Sequence, residues 1–84
     1  MKKTNRTILG VHVAQRTKHT AKVQKILSDY GCSIRTRVGL HDAGNGFCSP
    51  SGLILLEVLN RAGALAAALA KVPGVTVKQM TFKE

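Results

Sequence analysis

The chain has 84 residues and a formal net charge of +9, from 13 Lys and Arg against 4 Asp and Glu. At this length it makes one small domain, for which self-association is a common further source of stability. No apolar run approaches the ~18 residues that cross a bilayer, and the basic start MKKTNRTILGVHVA has too short an apolar part, broken by His12, for a secretory leader. A cytoplasmic protein with no membrane partner is expected. The charge makes phosphates and anionic metabolites reasonable partners, although Lys18, Lys22 and Lys25 fall on one expected helix, where a solvated face is the simpler account.

In chain order, residues 1–6 read as a basic flexible tail and residues 7–82 as a single domain. A first strand is predicted over Thr7 to Ala14, with Leu9, Val11 and Val13 on one face and Ile8, Gly10 and His12 on the other. Gln15 to His19 read as a connection, with Thr17 or Thr20 placed to cap the helix that follows. In that helix Val23, Ile26, Leu27 and Tyr30 recur at the spacing of a buried stripe, and Gly31 suits a left-handed stop. From Cys32 to Leu40 the pattern alternates as a strand should. Cys32, Ile34, Thr36, Val38 and Leu40 share one face, and Ser33, Arg35, Arg37 and Gly39 the other. LILLEVL, from Leu53 to Leu59, is apolar at nearly every position, as in a strand covered on both faces. Asn60 is expected to cap a second helix with Ala62, Leu65, Ala66, Leu69 and Val72 as its buried stripe, ended by Pro73 and Gly74. Val75 to Phe82 reads as the last strand, with a bulge near Gln79 and Met80.

This order, β-α-β-β-α-β, predicts an α+β ferredoxin-like sandwich, a four-stranded antiparallel sheet with two helices on one face and the first and third strands at its centre. The face without helices is then expected to carry Arg35, Arg37 and Gly39, Leu53, Leu55, Glu57 and Leu59, and Ile8, Gly10 and His12. Such a face is too apolar to leave wet, and Gly10 and Gly39 would let another backbone approach. Ile8, Gly10, Gly39, Leu53, Leu55 and Leu59 are therefore the candidate interface of a homo-oligomer, a dimer or tetramer.

The stretch RVGLHDAGNGFCSPSG, from Arg37 to Gly52, holds the chemically distinctive residues in an unusually long connection. Gly44, Asn45 and Gly46 suit positive φ where the chain turns, and they lead into a strand, not into the helix that a dinucleotide loop opens. Free N–H groups of this loop, with Arg35, Arg37, Ser49 and Ser51, form a candidate anion site to which His41, Asp42 and Cys48 are near. His12, His19, His41 and Cys48 emerge toward one end of the sheet and include ligand types for Ni or Zn. His41 and Cys48 do not form a recognised ligand pair, however, and a single Cys beside Phe47 is commonly a small buried hydrophobe, so no metal site is assigned and no cofactor is named. Cys32 and Cys48 lie at opposite ends of a strand that separates them by roughly 25 Å at roughly 3.3 Å per residue, beyond the roughly 7 Å a disulfide spans. Ser49 or Ser51 with His41 and Asp42 lack a nucleophile elbow, and no carboxylates pair, so no enzyme is expected.

The run RVGLHDAGNGFCSPSGLILLEV, with the later KVPGVTVKQMTF, resembles the small stand-alone ACT-like family of iron-only hydrogenase system regulators, over Thr7 to Phe82. The resemblance implies a connection with assembly or expression of [FeFe]-hydrogenase, and regulatory domains that oligomerise and bind small effectors between subunits. The related nickel-responsive regulators carry a similar domain with a metal site behind a ribbon-helix-helix DNA-binding segment. With six residues before the first strand here, that route to DNA is not expected. A nucleic-acid-associated or metal-responsive regulator is the alternative. The RNA recognition motif shares the element order but stacks bases on aromatics of its central strands. The aromatics here are Tyr30, Phe47 and Phe82, outside the expected central strands.

Overall fold

The computed structural model describes residues 6–14, 16–40, 43–44, 47–48 and 52–83. Strand β1 (Arg6–Val13) leads to helix α1 (Arg16–Asp29), a 3-10 turn at Gly31–Ser33 and strand β2 (Ile34–Leu40). Two short strands, β3 (Ala43–Gly44) and β4 (Phe47–Cys48), precede β5 (Gly52–Val58), helix α2 (Ala62–Ala70) and β6 (Val75–Phe82). The four long strands form one sheet in the order β2-β5-β1-β6, with every neighbouring pair antiparallel. This is the ferredoxin-like α+β arrangement, and β1 and β5 hold the expected centre.

The core lies between this sheet and the helices. Leu9, Val11 and Val13 of β1 and Leu56 and Val58 of β5 pack under Val23 and Leu27 of α1, Leu65 and Leu69 of α2, and Val72. Ile26, Tyr30, Ala62 and Ala66 pack against its margin, so both predicted helical stripes face the sheet. Burying leucine and valine side chains is worth about 1.5–3 kcal/mol each.

Several local features depart from the sequence reading. The α1 helix begins at Arg16, so Thr17 and Thr20 both lie within it and not at its cap. Gly31 opens the 3-10 turn, which the Ser33 N–H closes on the Tyr30 carbonyl at 2.9 Å. The described glycine with positive φ is Gly74, at +81°, where the chain leaves α2 for β6. Cys32 sits in the turn and not in β2. Arg61, not Asn60, occupies the α2 cap, with φ 59° and no side-chain capping bond. Asn60 is engaged elsewhere. Its Oδ1 accepts a 2.7 Å hydrogen bond from Ser33 Oγ, while the Leu59 N–H donates to the Ser33 carbonyl at 2.8 Å. Ser33 is buried, and satisfying its hydroxyl ties the turn before β2 to the end of β5. Strand β6 has no bulge, since it pairs with β1 residue for residue from Val75 to Phe82.

The bulge lies instead in β2. Ile34 pairs with Val58 and Thr36 with Glu57, so Arg35 is the extra residue. One inserted residue reverses every later position on a strand with a side-chain period of two. Thr36 and Val38 therefore share the open face with Glu57 and Leu55, while Arg37 and Gly39 align with Leu56 and Ile54 on the helix side. The expectation that Arg37 and Gly39 line the open face is corrected by this shift.

Candidate functional site

The open face follows from the registers. One row across it runs Met80, Ile8, Glu57 and Thr36, and the next runs Lys78, Gly10, Leu55 and Val38. His12 stands between Thr76 and Leu53 at one end, and Arg6 beside Phe82 at the other. Among the described residues, the large hydrophobics left exposed are Val38, Leu53, Leu55, Met80 and Phe82, all on this face, and Leu59 just beyond β5. Alternation along each strand makes this concentration. Leu9, Val11, Leu56 and Val58 are the inward members of the same strands.

The polar groups interspersed on this face are partly paired. Glu57 accepts a 3.5 Å hydrogen bond from the Thr36 hydroxyl, and its carboxylate lies 3.8 Å from Arg6 Nε. Of the expected interface residues, Ile8, Gly10, Leu53 and Leu55 do share this face, and Val38 joins them. A Cβ built on Gly10 would sit 3.9 Å from Leu55 Cδ2 and 4.0 Å from the Lys78 carbonyl oxygen. The bare Cα thus leaves a shallow notch there. Gly39 meets nothing within 4 Å and belongs to the other side.

The anion-site candidates take a different place. Arg37 Nη2 donates a 2.6 Å hydrogen bond to Gln24 Oε1 of α1, which holds the guanidinium at the exposed flank between helix and sheet. Arg35 is exposed at the bulge. Between β2 and β5, Ala43 pairs with Cys48 and Gly44 with Phe47, a two-stranded ladder separate from the main sheet. From the sequence this stretch is expected to be one long connection. The pair Asn45-Gly46 between the two short strands is the strongest short hairpin signal and was the clue to it. His41, Asp42, Asn45, Gly46, Ser49 and Ser51 lie outside the described residues, and of Gly44 and Cys48 the backbone alone is described.

Of the residues considered for metal, His12 is exposed on the open face, whereas His19 lies beside the Gly74 turn, its Cδ2 3.6 Å from where a Gly74 Cβ would stand. Among the described residues no group of three His, Cys, Asp or Glu gathers as a metal site. Cys32 is a free, exposed thiol. No described helix is long and apolar enough to cross a membrane.

No family model matches the chain, and no curated protein does. Among solved structures, it is similar to the uncharacterized protein TM1266 from Thermotoga maritima, at 26% identity and a TM-score of 0.76, over 95% of this chain and 98% of that one. It is also similar in fold to CPII, a nitrogen regulatory PII-like protein from Thiomonas intermedia K12 bound to ADP, AMP and bicarbonate. There the identity is 15% and the TM-score 0.57, over 99% of this chain and 98% of that one.

Proposed function

We propose that the chain is a non-enzymatic regulatory and ligand-sensing module, associated with the iron-only hydrogenase system, that self-associates through its sheet and takes an anionic effector beside β2. The observation that carries this reading is the open face. Val38, Leu53, Leu55, Met80 and Phe82 are exposed together on a sheet whose opposite side carries the core. Contiguous apolar surface of this kind marks an interaction site. Beside that surface, Arg35 is exposed at the β2 bulge and Arg37 at the helix-side flank; with His41, Asp42, Gly44, Asn45, Gly46, Cys48, Ser49 and Ser51 they form the candidate effector set.

The hydrogenase association comes from the resemblance of RVGLHDAGNGFCSPSGLILLEV, and the ACT-like build agrees with the ferredoxin-like likenesses. The PII-like protein, with ADP, AMP and bicarbonate bound, suggests which anions to offer first. A guanidinium suits them because it presents planar, paired donors to phosphate or carboxylate. Equilibrium binding of ADP, AMP and bicarbonate at low salt tests the site. Saturable binding that Arg37→Ala weakens about tenfold, with the fold unchanged, supports it; equal binding by both proteins contradicts it.

A nucleic-acid-associated regulator is the second reading, favoured by the +9 charge and the exposed Lys22, Lys25, Arg35 and Arg37. It predicts duplex DNA or RNA binding that falls steeply with salt.

A further inference from the structure

The two margins of the sheet differ as sites for another strand. β2 is blunted, because Arg35 bulges from it and Arg35 and Arg37 are both exposed there. Bulges and charges are the devices that keep an edge from pairing. β6 has neither a bulge nor a proline, keeps register with β1 along all its length, and carries a single charge, Lys78. Every residue from Lys78 to Phe82 is exposed. Met80 and Phe82, 54% and 53% exposed, stand at this margin on the open face.

We infer that β6 pairs antiparallel with β6 of a second copy, about a two-fold axis at Met80, so that the four-stranded sheet continues into eight. The inference rests on the self-association proposed above and adds an edge-to-edge contact to the one made through the open face, which stays uncovered within this pair. An unpaired edge offers a row of N–H and C=O groups that only another extended strand satisfies in full. The sequence selects its own copy because, read in reverse, it complements itself. With the axis at Met80, each Met80 meets the partner's Met80, Gln79 meets the partner's Thr81, and Lys78 meets the partner's Phe82. The two exposed apolar side chains thereby gain cover, and a lysine lies beside an aromatic ring, which attracts it. With the axis at Lys78, lysine would oppose lysine, which disfavours that register. An acidic peptide would find one charged partner in β6, Lys78, since Thr76, Gln79 and Thr81 are uncharged. The perpendicular two-fold keeps both open faces on one side, so the apolar surface runs on across the junction.

Cysteine cross-linking tests the register. In a Cys32→Ser, Cys48→Ser background, Met80→Cys should form a disulfide-linked dimer on mild oxidation, because directly opposed antiparallel residues have Cα atoms about 4.5–5.5 Å apart. Arg37→Cys, on the other margin, should not. Met80→Lys, which sets like charges against each other at the axis, should weaken dimerisation about tenfold or more while the circular dichroism spectrum stays unchanged. A dimer in native mass spectrometry that fails to cross-link through Met80→Cys, or that cross-links as well through Arg37→Cys, overturns the β6 pairing and leaves self-association standing. A dimer undiminished in Met80→Lys does the same, and a wild-type monomer overturns both.

Discussion

Leu55 and Leu56 are adjacent on β5 and identical in side chain, yet Leu56 is 0% exposed and Leu55 37%. Leu56 points to the helices, where it shares the core with Leu9, Val11, Val23, Leu65 and Leu69, and Leu55 points to the open face beside Gly10 and Val38. The same division runs through β1, where Leu9 and Val11 are fully buried while Ile8 and His12 are not. One side of the sheet therefore holds the fold, and the apolar content of the other is surplus to it. Surface of that kind is retained for contact with something else.

The sharpest way to break this comparison is to truncate both leucines. Leu56→Ala should cost about 2–5 kcal/mol in urea unfolding, from lost burial and the cavity left behind. Leu55→Ala should cost less than about 1 kcal/mol at concentrations where the chain is a monomer, and should weaken association instead. Equal losses would mean that the open face also serves the monomer's own stability. Ser33→Ala comes next in size, at about 1–3 kcal/mol, because it strands Asn60 Oδ1 and removes the 2.7 Å link between the turn and the end of β5. The double variant with Asn60→Ala should lose less than the sum of the two single changes. Gly74→Ala should cost about 1 kcal/mol, since a Cβ is disfavoured at φ +81° although space for it exists. The smallest effect on stability, within about 0.5 kcal/mol, belongs to Arg37→Ala, whose exposed bond to Gln24 is worth little to the fold. Its loss should register in anion binding.

How far the sequence discloses this molecule depends on which residues are asked. Hydrophobic periodicity placed both helices and all four long strands, because Leu9, Val11, Val13, Leu65 and Leu69 are apolar at the spacing of the core, and the handedness of the crossovers placed the two central strands. Alternation failed at Arg35. The run from Cys32 to Leu40 alternates without a break, and only the pairing with β5 reveals that one residue is skipped. A bulge is set by the partner strand and leaves no mark in the pattern of its own. The faces of Thr36, Arg37, Val38 and Gly39 were therefore reversed, and the candidate anion site was separated from the candidate interface. Asn60 was misread for a related reason. It has a capping side chain, but the buried hydroxyl of Ser33, distant in sequence, claims it. The β3–β4 ladder was legible in Asn45-Gly46, whereas the proposed effector set includes Ser49, Ser51, His41 and Asp42, whose residue types are compatible with several ligands.

The most direct test of the account is native mass spectrometry of the wild-type chain and of Leu55→Asp, both purified without chelator. The wild type should be an oligomer and Leu55→Asp a folded chain of lower order, because an ionised carboxylate at the centre of the open face is costly to bury. A discrete retained mass on the wild-type oligomer would add the effector to the picture. A wild-type monomer, or an oligomer that Leu55→Asp leaves intact, would contradict the central claim that the open face is where this chain meets its own copies.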